Sequence, residues 1–101
     1  MNRVNGIRGI KVSADKAADA LIYTGSCLFY GVQVVPAADM TFTIYDGIDN
    51  TGTAITPLAF AVLSTVTIFE LYLPEPIYCA TGIYLDVTTV GVIICKILYD
   101  Y

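Results

Sequence analysis

From Ala20 onward, apolar side chains recur at every second position in short runs, and the runs are broken by Gly, Pro, Asn or Asp. A period of two belongs to strands, whose successive side chains point to opposite faces. The stretch ALIYTGSCLFYGVQVV predicts two strands joined by a tight hairpin at Thr24-Gly25-Ser26, with glycine supplying a positive φ. In the second of these strands Leu28, Tyr30, Val32 and Val34 share one face, and Cys27, Phe29, Gly31 and Gln33 share the other. Pro36 ends it, because proline cannot donate to a ladder. In MTFTIYD, Met40, Phe42 and Ile44 alternate with Thr41, Thr43 and Tyr45. Further strands are expected near residues 53–56, 59–63, 66–73, 82–88 and 91–99, with a stiff corner at Pro74-Glu75-Pro76 and bends at Gly82 and Gly91. The alanine-rich SADKAADAL could open a short helix at Ser13, but it runs directly into β-branched and aromatic sequence, so a loop entering a strand is preferred.

Seven or eight short strands at this spacing, with no repeat and no linker, predict an all-β fold: an antiparallel β-sandwich of the jelly-roll kind spanning residues 17–101. Residues 1–16 are set apart by charge and are expected to form an extended basic N-terminal arm. They hold Arg3, Arg8, Lys11 and Lys16 against Asp15 alone, whereas the rest of the chain sets Lys96 against eight acids. Arg3, Arg8 and Lys11 are therefore candidates for docking onto an acidic neighbour, the alternative being a solvated tail. An acidic body would repel phosphate, so no nucleic-acid partner is expected.

The same alternation assigns faces. Lys96 and Asp100 fall in register with Ile94 and Leu98, leaving Ile93, Cys95, Ile97 and Tyr99 to the core; Glu70 falls in register with Ile68 and Tyr72, leaving Phe69, Leu71 and Leu73 inside. Phe29 accompanies Gln33. Phe29, Ile68, Tyr72, Ile94 and Leu98 are thus placed on outer faces, an assignment that a slip of one residue would invert.

Composition makes those outer residues matter. Of 101 residues, 56% are hydrophobic and 14% charged, against roughly 25% charged in an average soluble domain. A domain of this size buries only about two-thirds of its surface. Some apolar surface is therefore expected to face another chain, which implies a homo-oligomer. A membrane is not the expected alternative: PLAFAVLSTVTIF meets Glu70 and VGVIICKILY is broken by Lys96, both too short for a spanning helix. The basic N-terminus lacks an apolar signal-peptide core.

Chemistry is sparse. Without histidine, a Ser-His-Asp triad and a cupin-like metal centre are excluded. The remaining carboxylates are scattered, no tryptophan offers a sugar platform, and no phosphate-binding glycine loop is present. No catalysis, cofactor or metal is expected. In Asp46-Gly47-Ile48-Asp49-Asn50-Thr51-Gly52, Ile48 stands where an EF-hand needs a ligand. A looser calcium site at Asp46, Asp49 and Asn50 is the alternative to a turn built from turn-forming residues. Cys27, Cys79 and Cys95 form no CxxC pair and are expected to be buried reduced thiols, with a Cys27–Cys95 or Cys79–Cys95 disulfide as the alternative. The eight tyrosines fit either strand cores or a binding face.

The order DALIYTGSCLFYGVQVV, TFTIYDGIDNTGTAI, PIYCATGIYLDVTT and GVIICKILYDY resembles a group of small structural proteins of tailed-phage virions over residues 18–101. The resemblance implies a non-enzymatic capsid decoration, or cement, protein: a trimeric jelly roll made in the host cytoplasm and seated on the major capsid protein at the virion surface. Related proteins serve in the tail, neck or fibre, so a tyrosine-lined module recognising a glycan or receptor is the second expectation, and a cellular sandwich with no viral link the third. The segment between Pro57 and Val66, with Phe60 inside it, is more apolar than that pattern and marks an expected subunit contact.

Overall fold

The computed structural model describes residues 10–89 and 93–101; Arg3, Arg8 and Gly91 lie outside them. Among the described residues nine strands form two antiparallel sheets: β1 (Lys11–Val12), β2 (Ala20–Thr24), β3 (Cys27–Pro36), β4 (Met40–Asp46), β5 (Thr53–Ala54), β6 (Phe60–Val62), β7 (Phe69–Cys79), β8 (Gly82–Thr89) and β9 (Ile93–Asp100). One sheet runs β1-β9-β3-β7 and the other β2-β8-β4-β5, with β6 also on β4. The expected all-β class holds, and no helix forms among the described residues, SADKAADAL included.

The core between the sheets comes from alternate residues. Val32 and Val34 of β3, Met40, Phe42 and Ile44 of β4, Ile83 and Leu85 of β8, and Cys95 and Ile97 of β9 are all buried. Phe42, Phe60 and Phe69 bring β4, β6 and β7 together across the sandwich, with ring centroids 5.3 Å apart for Phe42–Phe60 and 5.2 Å for Phe60–Phe69. Such pairs contribute about 0.5–1.5 kcal/mol beyond area burial. Phe60, expected at a subunit contact, is half-buried in this cluster. β5 and β6 act as one strand interrupted at Pro57. Across the gap, the Ile44 N–H donates to Thr56 Oγ1 and the Ala59 N–H to Thr43 Oγ1, so hydroxyls replace missing ladder bonds.

Four expectations need correction. Thr24-Gly25-Ser26 does not close a hairpin. β2 pairs with β8 and β3 with β7 and β9, so the chain here crosses from one sheet to the other. Gly25 does take φ +120°, and its N–H donates to the Thr81 carbonyl at 2.8 Å. The faces of β3 also change along its length. Its register against both neighbours shifts between Phe29 and Gly31, and the extra residue, Tyr30, reverses the alternation. Phe29, expected on an outer face, therefore joins Val32 and Val34 inside at 1% exposure.

Pro74-Glu75-Pro76 bends the chain within β7 rather than between strands. Leu73–Pro76 bulge out opposite Tyr30 before pairing resumes at Ile77. Finally, the stretch from Lys11 to Lys16, assigned to the arm by its charge, is sheet edge. Val12 pairs with Leu98, the Ser13 N–H donates to the Ile97 carbonyl, the Ile97 N–H donates back to Ser13 Oγ, and Lys16 exchanges two backbone bonds with Cys95. Backbone hydrogen bonding outweighs the charge signal there.

Candidate interaction surface

The outer face of the β1-β9-β3-β7 sheet gathers most of the residues that alternation placed outside. Directly paired residues in an antiparallel sheet project to the same side. Val12, Leu98, Gly31 and Tyr72 are paired in sequence across all four strands and form one row. Lys96, Gln33 and Glu70 form the next, and Ile94 with Val35 a third. Ile68 continues the alternation of Tyr72 and Glu70 just before β7. Tyr72 and Ile68 are 49% and 46% exposed, Val12 is 56% exposed, and Leu98 is half-buried. The surface is thus two apolar rows separated by a polar one.

Val12 and Val35 were missing from the expected set. Val35 lies two residues beyond Gln33, a spacing that already marked it; Val12 was hidden by its place among basic residues. At Gly31 the β3 backbone lies close against β7: a Cβ there would come within 2.2 Å of the Leu71 carbonyl oxygen. Glycine at this position lets β3 and β7 approach across the bulge.

The polar row is tied within itself and to Tyr72 of the first apolar row. Gln33 Nε2 donates to Tyr72 Oη at 2.6 Å and to Glu70 Oε2 at 3.3 Å, and the Tyr72 hydroxyl donates to Glu70 Oε2 at 2.6 Å. The hydrogen bond to the Glu70 carboxylate raises the Tyr72 hydroxyl above the ordinary tyrosine range, opposed by the Gln33 amide. Lys96 forms an ion pair with Asp15. Side chains fixed in this way lose less freedom when a partner covers them.

The opposite outer face differs in chemistry. On the β2-β8-β4-β5 sheet the facing pairs are Leu21–Tyr84, Tyr45–Tyr84, Thr43–Asp86 and Thr41–Thr88. Desolvation raises the Asp86 carboxyl above its ordinary value, with the Asp19 charge and a hydrogen bond to Asp19 adding to the effect and Asn50 opposing it. Asp19 also accepts the Val87 N–H at 2.7 Å. This face is hydroxyl-rich and acidic rather than apolar.

The Asp46–Gly52 loop is held by its own polar groups. Asp46 reaches across to the β7–β8 turn and accepts the N–H groups of Ala80, Thr81 and Gly82 at 3.1, 2.9 and 3.3 Å. Asp49 Oδ1 accepts both the N–H and the hydroxyl of Thr51, which lowers its carboxyl below the ordinary range. Among the described residues no group of three Cys, Asp or Glu side chains is arranged to hold a metal ion.

Lys11, expected to dock on a partner, bridges within the chain to the buried Asp100 carboxylate at 3.5 Å and lies 4.1 Å over the Tyr101 ring. Tyr101 in turn stacks on Tyr23 at 4.5 Å, so this cation fastens the chain's last residue to the sandwich. Among the described residues no helix is long and apolar enough to cross a membrane. No protein-family model, curated protein or solved structure matches the chain.

Proposed function

We propose that this chain is a structural subunit that assembles with copies of itself through the outer face of the β1-β9-β3-β7 sheet. The observation that carries this reading is the pair of apolar rows, Val12–Leu98–Tyr72 and Ile94–Val35, on a domain with few charges. Apolar area removed from water stabilises at about 25 cal/mol per Å², and the ladder holds the residues of each row side by side.

In this proposal the sandwich is a jelly roll. The order β1-β9-β3-β7 over β2-β8-β4 with β5 and β6 favours it, because each consecutive long strand lies in the opposite sheet until the chain closes on β9. Jelly rolls of eight strands build many viral shells. Together with the resemblance of residues 18–101 to small tailed-phage proteins, this leads us to a capsid decoration protein. Such a protein would be a trimer made in the host cytoplasm and seated on the major capsid protein, and its work would be mechanical rather than catalytic. Counting copies of the chain in purified virions tests the proposal: hundreds per particle support decoration, and a dozen or fewer contradict it.

A second reading rests on the Tyr45–Tyr84 pair and its neighbouring threonines. Aromatic faces flanked by hydroxyls suit sugar rings, as in a tail, neck or fibre module recognising a glycan or receptor. Low copy number together with glycan-array binding lost in Tyr84→Ala would favour that role.

A further inference from the structure

The three thiols are buried, but two of them face one another. Cys27 and Cys79 are directly opposite in the β3–β7 ladder, at the end of the sandwich where the chain turns at Ser26 and Ala80. Cys95 stands opposite Val34, seven residues further along β3. That separation is roughly 20 Å of strand, so neither disulfide involving Cys95 can form without unfolding the sheet. The pair that strand register brings together is the one that spacing in the sequence did not suggest.

We propose that Cys27 and Cys79 are a modification site, closing a cross-strand disulfide when the protein meets a small-molecule disulfide oxidant. Directly opposed residues have Cα atoms about 4.5 or 5.5 Å apart, and both values fall within the roughly 4.4–6.8 Å that a disulfide spans. Their Cβ atoms, about 4.5–5.5 Å apart in a ladder, must close by up to about 1 Å to reach disulfide geometry. The bond is therefore reachable but strained.

Access is one-sided. A pocket of about 290 Å³, lined by Ser26, Cys27, Leu28, Tyr78, Asp100 and Tyr101, opens beside Cys27. Cys79 does not line it and has no exposed surface. The order of events follows. The Cys27 thiolate attacks the oxidant RSSR, leaving a Cys27–SR mixed disulfide, and the displaced thiolate takes up the proton Cys27 lost to leave as RSH. Cys79 then loses its proton and attacks the Cys27 sulfur, expelling the second thiol as RSH. Two protein thiols are oxidised and one external disulfide is reduced to two thiols.

Burial governs the speed. Desolvation raises the Cys27 thiol above its ordinary range, with Asp46 adding and contact with Cys79 opposing. Desolvation and then the Cys27 charge push Cys79 up to about 12. Few thiolates are present at neutral pH, so closure is slow there and quickens about tenfold per pH unit below the Cys27 pKa. A chain made in a reducing compartment keeps both thiols until it leaves.

The test is incubation of the full chain with oxidised glutathione, read by intact mass and non-reducing peptide mapping. Wild type and Cys95→Ser should each lose about 2 Da and yield the Cys27–Cys79 cross-linked peptide. Their melting temperature should rise by several degrees and fall back on reduction. Cys79→Ser should stop at the mixed disulfide on Cys27, a gain of about 305 Da. If Cys79→Ser does not fold, the wild-type and Cys95→Ser maps decide. An unchanged mass in oxidised glutathione, or a bond mapped to Cys95 or between chains, overturns the proposal.

Discussion

Ile94 and Val35 face each other across β9 and β3 on the solvent side of the sandwich, at 41% and 40% exposure. Two β-branched apolar residues in a cross-strand pair normally mark a core. Here the core lies on the opposite side, where Cys95 and Val34 make the corresponding buried pair. Ile94→Lys should thus change domain stability by no more than about 0.5 kcal/mol while removing self-association. Thermal melting and light scattering on the same sample check both halves.

Gly31→Ala should do the reverse. The added Cβ meets the Leu71 carbonyl oxygen, a backbone atom that cannot rotate away. Overpacking of this kind costs about 1–3 kcal/mol, read as a lower midpoint in urea with an unchanged slope.

Asp46→Ala should destabilise by about 1–3 kcal/mol, since it strips the acceptor from three N–H groups of the β7–β8 turn. Amide exchange at Ala80, Thr81 and Gly82 should quicken more than at Ile44, and calcium should not restore either variant or wild type to a higher melting temperature. A calcium-dependent rise would instead reinstate the loop as a metal site.

Asp86 and Asp49 respond to pH with opposite signs. Asp86 has its folded pKa raised above the ordinary 3.8, so the folded state holds that proton more tightly than the unfolded state. Stability from this group is present at low pH and is lost as pH rises through the raised pKa. Asp86→Asn should then melt above wild type at pH 7, and the advantage should vanish below about pH 3.8. Asp49 has its folded pKa lowered by the Thr51 bonds, so its contribution is present above 3.8 and lost as pH falls through the lower value. Asp49→Asn should lose stability at neutral pH only.

Much of the fold was legible because one face of each long strand is buried. The alternation in MTFTIYD and in ICKIL placed Phe42, Ile44, Cys95 and Ile97 correctly, and the polar marks Glu70 and Lys96 pointed to Ile68, Tyr72 and Ile94 on the outside. What failed were features that strict alternation does not encode. Tyr30 is a single extra residue, and it inverted Phe29. The Thr-Gly-Ser turn carries the signature of a hairpin, yet its strands take their partners from β8 and β9, which come some sixty residues later in the chain. Charge suggested an arm through residue 16, but Ser13 and Lys16 satisfy their backbone groups on β9. The Cys27–Cys79 contact depends on register between distant strands and left no local signal.

Sedimentation equilibrium of the full chain across a wide concentration range tests the central claim most directly. The account predicts a species heavier than the 10.9 kDa chain that reverts to that mass in Ile94→Lys. A wild-type chain that stays at 10.9 kDa at every concentration would contradict it.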